Sequence, residues 1–394
     1  MNRDELNNLL EKGAERLDIT PTMFEEAKTH YGSVGEFLGN NGIDADIYPF
    51  GSIATGTVTR PYTEDEDDYF DIDVAVRRDD CSLQDSSPDE VRDPVADALR
   101  RSGRYSGKLD ESDECITVLY VSNGVEGGFR LDLNVCIENE NGPGSKAADC
   151  ATYPEYSAEP IAIARKDDRW LDSNPRGLVD WFNDKNRRFA AVSSLRQKER
   201  IQRDHPSVYA SIEDVPDILT RTSLQRAVQI LKRSSRVYYR TCRWDGPQDT
   251  LPSSCMINVL CANVSDSLPD EASIMDVLEA FVGLCAQPGS AIASGTSAPI
   301  GSSGAWRLDN PVYAGNLLEG WTDNDARRFF SWVESLASSL NDLFGIEQKR
   351  EAALSHVFGN RIAGQILPAA VAPAVIKAGP GSGTASQPWR SFLG

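Results

Sequence analysis

The chain has 394 residues, 40 Lys and Arg against 60 Asp and Glu, a formal net charge of −20, and 40% hydrophobic and 25% charged residues. That balance is ordinary for a globular protein, and its length predicts two or three domains at roughly 150 residues each. It argues against a protein whose main task is gripping duplex DNA or RNA, because such binders need Lys and Arg to neutralise phosphates.

The opening MNRDELNNLL lacks the apolar run of a signal peptide. No stretch approaches ~18 consecutive apolar residues, so no membrane span is expected. Residues 4–40 read as helix. Leu6, Leu9 and Leu10 recur at helical spacing, and Thr20-Pro21 supplies a second start signal. Thr22 with Glu25 has the spacing of a capping box. Met23, Ala27, Tyr31, Val34 and Leu38 continue the stripe until Gly39-Asn40-Asn41-Gly42 stops it.

The period then changes. Ile43, Ala45 and Ile47 alternate with polar residues and predict a strand. A small-residue turn, Gly51 to Thr57, follows, then the acidic loop Glu64–Asp68, then the strand Phe70–Val76. Residues 88–102 predict a helix, and Ile116–Val121 and Phe129–Ile137 predict strands. Beyond residue 175 the pattern is mostly helical: Leu178–Asp184, Phe189–Arg203, Thr222–Tyr239, Cys255–Val264, Ser273–Leu284 and Asp323–Leu343. Residues 287–304 read as a loop and those from Pro368 onward as a flexible tail.

The eight cysteines form no CxxC pair, and none of the three histidines stands at zinc-ligand spacing from a cysteine pair. They read as small buried hydrophobes in a reducing cytosol. Tryptophans such as Trp170, Trp181, Trp244, Trp306, Trp321 and Trp332 read as core and interlobe packing.

Chemistry concentrates in the first half. On the strand Phe70–Val76 alternate side chains share a face. Phe70, Ile72, Val74 and Val76 point one way, and Asp71 and Asp73 the other. Phe129–Ile137 repeats this, with Phe129, Leu131, Leu133 and Val135 opposite Arg130, Asp132 and Asn134. If the two strands are neighbours, Asp132 joins Asp71 and Asp73. Carboxylates held this close repel each other unless a cation sits among them, and three can hold two Mg2+ ions for in-line phosphoryl transfer. The Gly51-Ser52 turn offers backbone N–H groups and a hydroxyl suited to phosphate oxygens, and Thr55 extends it.

Strand, Gly-Ser turn, DxD strand and a separate apolar-flanked Asp resemble, in that order, the DNA polymerase β-like nucleotidyltransferase superfamily. Within it the chain looks like the bacterial cGAS/DncV-like nucleotidyltransferases (CD-NTases), over residues 5 to 365. GSIATGTVTRPYTEDEDDYFDIDVAV is similar to the family's catalytic block. RWLDSNPRGLVDWFNDKN, LQRAVQILKRSSRVYY, LPSSCMINVLCA, DNPVYAGNLLEGW and HVFGN resemble later landmarks. Two departures are the long acidic loop and Asn134-Val135-Cys136, where a proline is common.

The resemblance implies an α+β fold: a bilobal core with a mixed sheet and a helical C-terminal lobe. Residues 1–40 would bridge the lobes, 41–174 form the catalytic core, 175–367 the helical lobe and 368–394 the tail. Asp71, Asp73 and Asp132 would hold two Mg2+ or Mn2+ ions, and Asp132 would help activate the attacking hydroxyl. Gly51, Ser52, Thr55 and Lys232 would hold the donor triphosphate, with Ser253 or Ser254 a further contact. From its residues alone, Lys232 belongs to a solvated helix face.

The implied activity is synthesis of a cyclic di- or trinucleotide from NTPs, ATP included, in the anti-phage signalling of a bacterial cytoplasm, with a lean to the trinucleotide. Its effector would be reached through the product only. The zinc insertion of the DNA-sensing animal relatives is missing, so no direct DNA activation is expected. A ubiquitin-E1/E2-like partner would conjugate the tail at Gly394. The rival expectations are a polymerase β-like enzyme modifying an RNA end, a small molecule or a protein, and a non-catalytic nucleotide sensor. The charge of −20 opposes the RNA version, and retention of three carboxylates opposes the sensor.

Overall fold

The computed structural model describes residues 1–60, 70–120, 128–139, 152–156, 159–189, 194–242, 251–286, 306–313 and 315–367. The acidic loop Glu64–Asp68, the 287–304 loop, Trp244 and the tail with Gly394 lie outside them.

The chain begins with α1 (Arg3–Glu15) and α2 (Pro21–Asn40). Thr20, not Thr22, caps α2: its Oγ1 accepts from the Met23 N–H at 3.2 Å, and Pro21 occupies the first turn, where no N–H is missed. The capping box expected at Thr22 and Glu25 is therefore wrong. The helix begins two residues earlier, which places Thr22 inside its first turn.

Seven strands form one mixed sheet: β1 (Ala45–Pro49), β2 (Phe70–Arg78), β3 (Leu109–Glu111), β4 (Ile116–Tyr120), β5 (Phe129–Glu138), β6 (Ile161–Ala164) and β7 (Trp170–Ser173). Between them lie the short helix α3 (Gly51–Ala54) and α4 (Pro88–Arg101). β2 and β5 pair in parallel, with Phe70 opposite Phe129, Ile72 opposite Leu131 and Asp73 opposite Asp132. β2 takes one edge of β5. On the other edge β4 pairs with residues 129–133 of β5 and β6 with residues 136–138. The alternating apolar residues of β2 and β5 pack with Val91, Val95 and Leu99 of α4 and with Val34 and Leu38 of α2 in one core. Their polar partners are thereby turned to the opposite face.

Eight helices follow among the described residues: α5 (Pro175–Arg187), α6 (Ser194–Asp204), α7 (Ser223–Thr241), α8 (Ser254–Ser265), α9 (Ile274–Cys285), α10 (Asp323–Leu343), α11 (Glu347–Phe358) and α12 (Asn360–Ile366). Among the described residues, all of them but α6 share a second core that includes Leu6, Leu9 and Leu10 of α1, with Trp181, Trp332 and Trp306 buried in it, whereas Ile201 of α6 packs with Tyr209, Val215 and Leu219. Phe189, read in the sequence as the start of α6, instead closes a turn after α5, its N–H donating to the Asn186 carbonyl at 3.0 Å. The strands β6 and β7 and the last two helices were not expected from pattern alone. β6 and β7 are only four residues each, too short for a period to show.

The elbow between α1 and α2 holds a buried ion cluster. Arg226 of α7, 1% exposed, donates to Asp18 at 2.7 Å and to Glu11 at 3.1 Å, and Arg221 lies 3.9 Å from Asp18. Gln229 also donates to Asp18, at 3.0 Å. Burial opposes ionisation of Asp18, but Arg226 and Arg221 outweigh it and hold the carboxyl below its usual range. The elbow reaches the sheet lobe as well: the Arg60 N–H donates to the Leu17 carbonyl at 2.7 Å. Among the described residues no helix is long and apolar enough to cross a membrane.

Candidate active site

A cleft of about 670 Å3 is lined by both lobes. Its floor is the polar face of β2 and β5. Parallel register sets Asp73 beside Asp132, and Asp71 stands beside Arg130, whose Nε lies 4.0 Å from the Asp71 carboxylate. Asp71, Asp73 and Asp132 all line the cleft. The three carboxylates singled out by strand periodicity thus lie together.

The second wall is α3 and the segment after it. Gly51 adopts φ +62°, and a Cβ there would stand 2.4 Å from Asp73 Oδ2. Only glycine permits both the left-handed backbone and this approach. What reads as a turn in the sequence is the first turn of a helix whose N-cap, Phe50, makes no side-chain cap. The Phe50 N–H is held by the Asp73 carbonyl at 2.9 Å, which ties the turn to the carboxylate strand. Ser52 lines the cleft. Thr55 lines it too, but its hydroxyl donates back to the Gly51 carbonyl at 3.0 Å, so this residue braces the turn.

Helix α7 grips this segment with three side chains on one face. Gln225 donates to the Thr55 carbonyl at 2.9 Å, Gln229 to Val58 at 2.9 Å and Lys232 Nζ to Thr57 at 3.1 Å. Lys232 is 5% exposed and lines the cleft. The solvated helix face suggested by its charged neighbours is therefore wrong. A helix wedged between two lobes is buried on nearly every side, and its polar residues face backbone carbonyls instead of water.

The electrostatics follow from this crowding. Burial, then the charges of Asp132 and Asp71, push the Asp73 carboxyl up to about 7. Burial and Asp132 raise Asp71 as well, against the pull of Arg130, Arg236 and Lys232. Burial and Arg236 bring Lys232 down to about 7, although Asp73 and Asp71 oppose this. Each group sits where its charged form is disfavoured, the condition expected where a charged ligand completes the balance.

Ser254 lines the cleft, whereas Ser253 caps α8 and accepts from the Met256 N–H at 3.1 Å. Sequence reasoning gave no role to Arg236, Asn258, Asn310 or Tyr313, which complete the lining. Arg236 could have been found by its four-residue spacing from Lys232. Asn174 caps α5 through the Gly177 N–H at 3.0 Å and donates to the carbonyls of Tyr156, at 2.8 Å, and Val312, at 3.3 Å. That is the local reason for the Asn-Pro pair beside the cleft. Of the cysteines, Cys136, Cys261 and Cys285 are buried as expected, Cys81, Cys115 and Cys255 are half-buried, and Cys242 is exposed. Cys150 lies outside the described residues.

Among the described residues no three acidic, His or Cys side chains converge into a ready-made metal cage. The carboxylates instead form an open pair with a third beside it. Such a set suits Mg2+, which keeps waters and takes substrate phosphate oxygens as ligands. The raised carboxyl of Asp73, set between two like charges, is the observation that fits a cation here.

No protein-family profile matches the chain. It is 25% identical to the c-di-GMP synthase of Roseivirga ehrenbergii over 372 residues, covering 91% of this chain and 85% of that protein. Among solved structures it is similar to the CD-NTase CdnG of Bradyrhizobium diazoefficiens in complex with GTP. There the TM-score is 0.67 at 19% identity, covering 92% of this chain and 98% of that one. It is also similar to CdnC of E. coli MS115-1 with ATP, with a TM-score of 0.56 at 15% identity and coverage of 90% and 97%. The sequence match along nearly the whole chain and the likeness to both structures agree: the chain has the bilobal fold of the CD-NTases CdnG and CdnC, with a carboxylate-floored cleft between its lobes.

Proposed function

We propose that the chain is a cyclic oligonucleotide synthase that joins NTPs into a second messenger for bacterial anti-phage signalling. The observation that carries this reading is the register pairing of Asp73 with Asp132, with Asp71 alongside, opposite Gly51-Ser52 and Lys232 in one cleft. The relative's name supports a cyclic dinucleotide, with GTP as substrate, so the lean toward a trinucleotide gives way to a dinucleotide. ATP is the second nucleotide to test, since the CdnC structure is one with ATP.

Asp71, Asp73 and Asp132 would hold Mg2+ or Mn2+. The bound ions would supply charge neutralisation of the triphosphate and stabilise the attacking and leaving oxygens. The chain's own groups do the rest. The N–H groups of α3 and the Ser52 hydroxyl hold phosphate oxygens. Lys232 and Arg236, delivered from the other lobe, meet the same anion, and its charge stabilises the protonated lysine that burial disfavours. Asp132 accepts a hydrogen bond from the ribose hydroxyl of the acceptor and orients it in line with the α-phosphate. The oxygen attacks the α-phosphorus as its proton passes to Asp132, a phosphodiester bond forms, the bond from the α-phosphorus to the oxygen bridging the β-phosphate breaks and pyrophosphate leaves. A second turnover closes the ring.

The test is incubation with labelled GTP and ATP, alone and together, in Mg2+ or Mn2+, followed by phosphatase. A resistant, low-mass labelled product is expected. Label on a polymer or protein would instead favour the enzyme that modifies other acceptors, and no label under any condition the silent sensor. Asp71→Ala with Asp73→Ala should lower product formation by at least about 10^2–10^3-fold without unfolding the protein. Surviving activity in the double variant would refute the assignment.

A further inference from the structure

Thr117 lies on β4, register-paired with Asp132 on β5. It is 2% exposed, and its Oγ1 donates to Asp132 Oδ1 at 2.5 Å. The hydroxyl is the donor and the carboxylate oxygen the acceptor. The single hydroxyl hydrogen of Thr117 is committed to Asp132, and only lone pairs face Cys115, whose Sγ lies 3.6 Å away. Cys115 is set in turn by its loop: its N–H donates to Ser112 Oγ at 3.1 Å, and its Sγ lies 3.3 Å from that oxygen. A short chain of side chains therefore runs from the loop at Ser112 to one oxygen of the cleft's third carboxylate.

We infer that Thr117 is a positioning residue: it locks the rotation of the Asp132 carboxylate so that Oδ2 is presented to the cleft. This rests on the reading that Asp132 orients the acceptor hydroxyl. Asp73 and Asp71 bear like charge on the neighbouring strand and would turn an untethered Asp132 away from them. The Thr117 hydroxyl opposes that turn from the β4 side. β-branching adds to the effect, because it leaves Thr117 few rotamers on a strand. Partners of this kind behind a ligating or reacting carboxylate change metal affinity or activity by about 10–100-fold when removed.

The test compares pairs that differ by the hydroxyl alone. Thr117→Val keeps the shape and loses the donor. Thr117→Ala and Thr117→Ser both lose the methyl, and only the second keeps the hydroxyl. Product formation is measured as kcat and KM, with the Mg2+ concentration for half-maximal rate and the thermal midpoint. The expected result is a kcat at least about tenfold lower and a raised Mg2+ requirement in Val and Ala, with Ser close to the parent. A kcat in Val within twofold of the parent, or equal losses in Ser and Ala, would overturn the inference. If Val lowers the thermal midpoint, the Ala and Ser pair still decides. Asp132→Asn separates this inference from the one beneath it. An inactive Asn variant beside an unaffected Val variant removes only the role of Thr117, whereas an active Asn variant removes the role of Asp132 as well.

Discussion

The elbow and the cleft floor each crowd charged side chains together, and they are solved in opposite ways. At the elbow, Asp18 and Glu11 meet Arg226 and Arg221, and the favourable pairings keep Asp18 ionised. On the cleft floor, Asp71 and Asp73 meet Asp132, and like charges with burial push Asp73 up to about 7. Lys232, the cation nearest in chemistry, is itself depressed by burial and by Arg236. At the elbow the arginines outweigh burial for Asp18, though not for Glu11, whose carboxyl burial raises; on the floor Asp71 and Asp73 are both raised. A charge network that closes on itself holds elements together. One left open stores an affinity for what will close it.

That contrast can be broken most directly by deleting one cation from each group. Arg226→Met leaves Asp18 and Glu11 buried without their main partner, and a loss of about 3–5 kcal/mol is expected from denaturant unfolding. Lys232→Met removes a cation the ligand-free fold already disfavours. It also frees the Thr57 carbonyl, so it should cost no more than about 1 kcal/mol, well below Arg226→Met, while increasing the KM for NTP. Similar stability losses in both variants would erase the distinction.

A smaller effect is expected in pH dependence. The Asp73 carboxyl is raised to about 7, so the folded state binds its proton more tightly than the unfolded chain does. The penalty is full above about 7. It is relieved as pH falls toward the unfolded carboxylate value near ~4. In EDTA, the parent should therefore gain stability relative to Asp73→Asn over that fall in pH. A flat difference, or one of opposite sign, would mean that the floor is not strained by like charge.

The smallest effect concerns the elbow's far side. Thr20→Ala should cost about 1 kcal/mol by removing the cap of α2, and Thr22→Ala close to nothing. Equal effects would put the helix start, and with it the elbow, in the wrong place.

The floor of the site was legible in the sequence because strands write their faces in alternation. Asp71, Asp73 and Asp132 each stand between apolar neighbours, and a period of two separates them from the core without further information. The register that puts Asp73 beside Asp132 was not legible, since nothing local specifies which strands pair. Lys232 shows the other limit. Gln225, Gln229, Lys232, Arg233 and Arg236 read as a polar face, and on an isolated helix they would be one. All but the half-buried Arg236 are buried because α7 sits between lobes, and only the fold supplies that fact. Thr117 was missed for a similar reason: on β4 it is an unremarkable β-former until β5 is placed beside it.

The parallel pairing of β2 with β5 also bears on how the protein is made. The strands that carry Asp73 and Asp132 cannot meet until the whole of β5 has been synthesised, and parallel pairs with long connections are slow to form. The lysine that faces them arrives about a hundred residues later still, on a helix that must dock against carbonyls already in place. A nascent chain is thus inert through most of translation. Truncated products of interrupted synthesis that end before α7 lack the three side chains, Lys232 among them, that grip residues 55–58, and so lack one wall of the cleft.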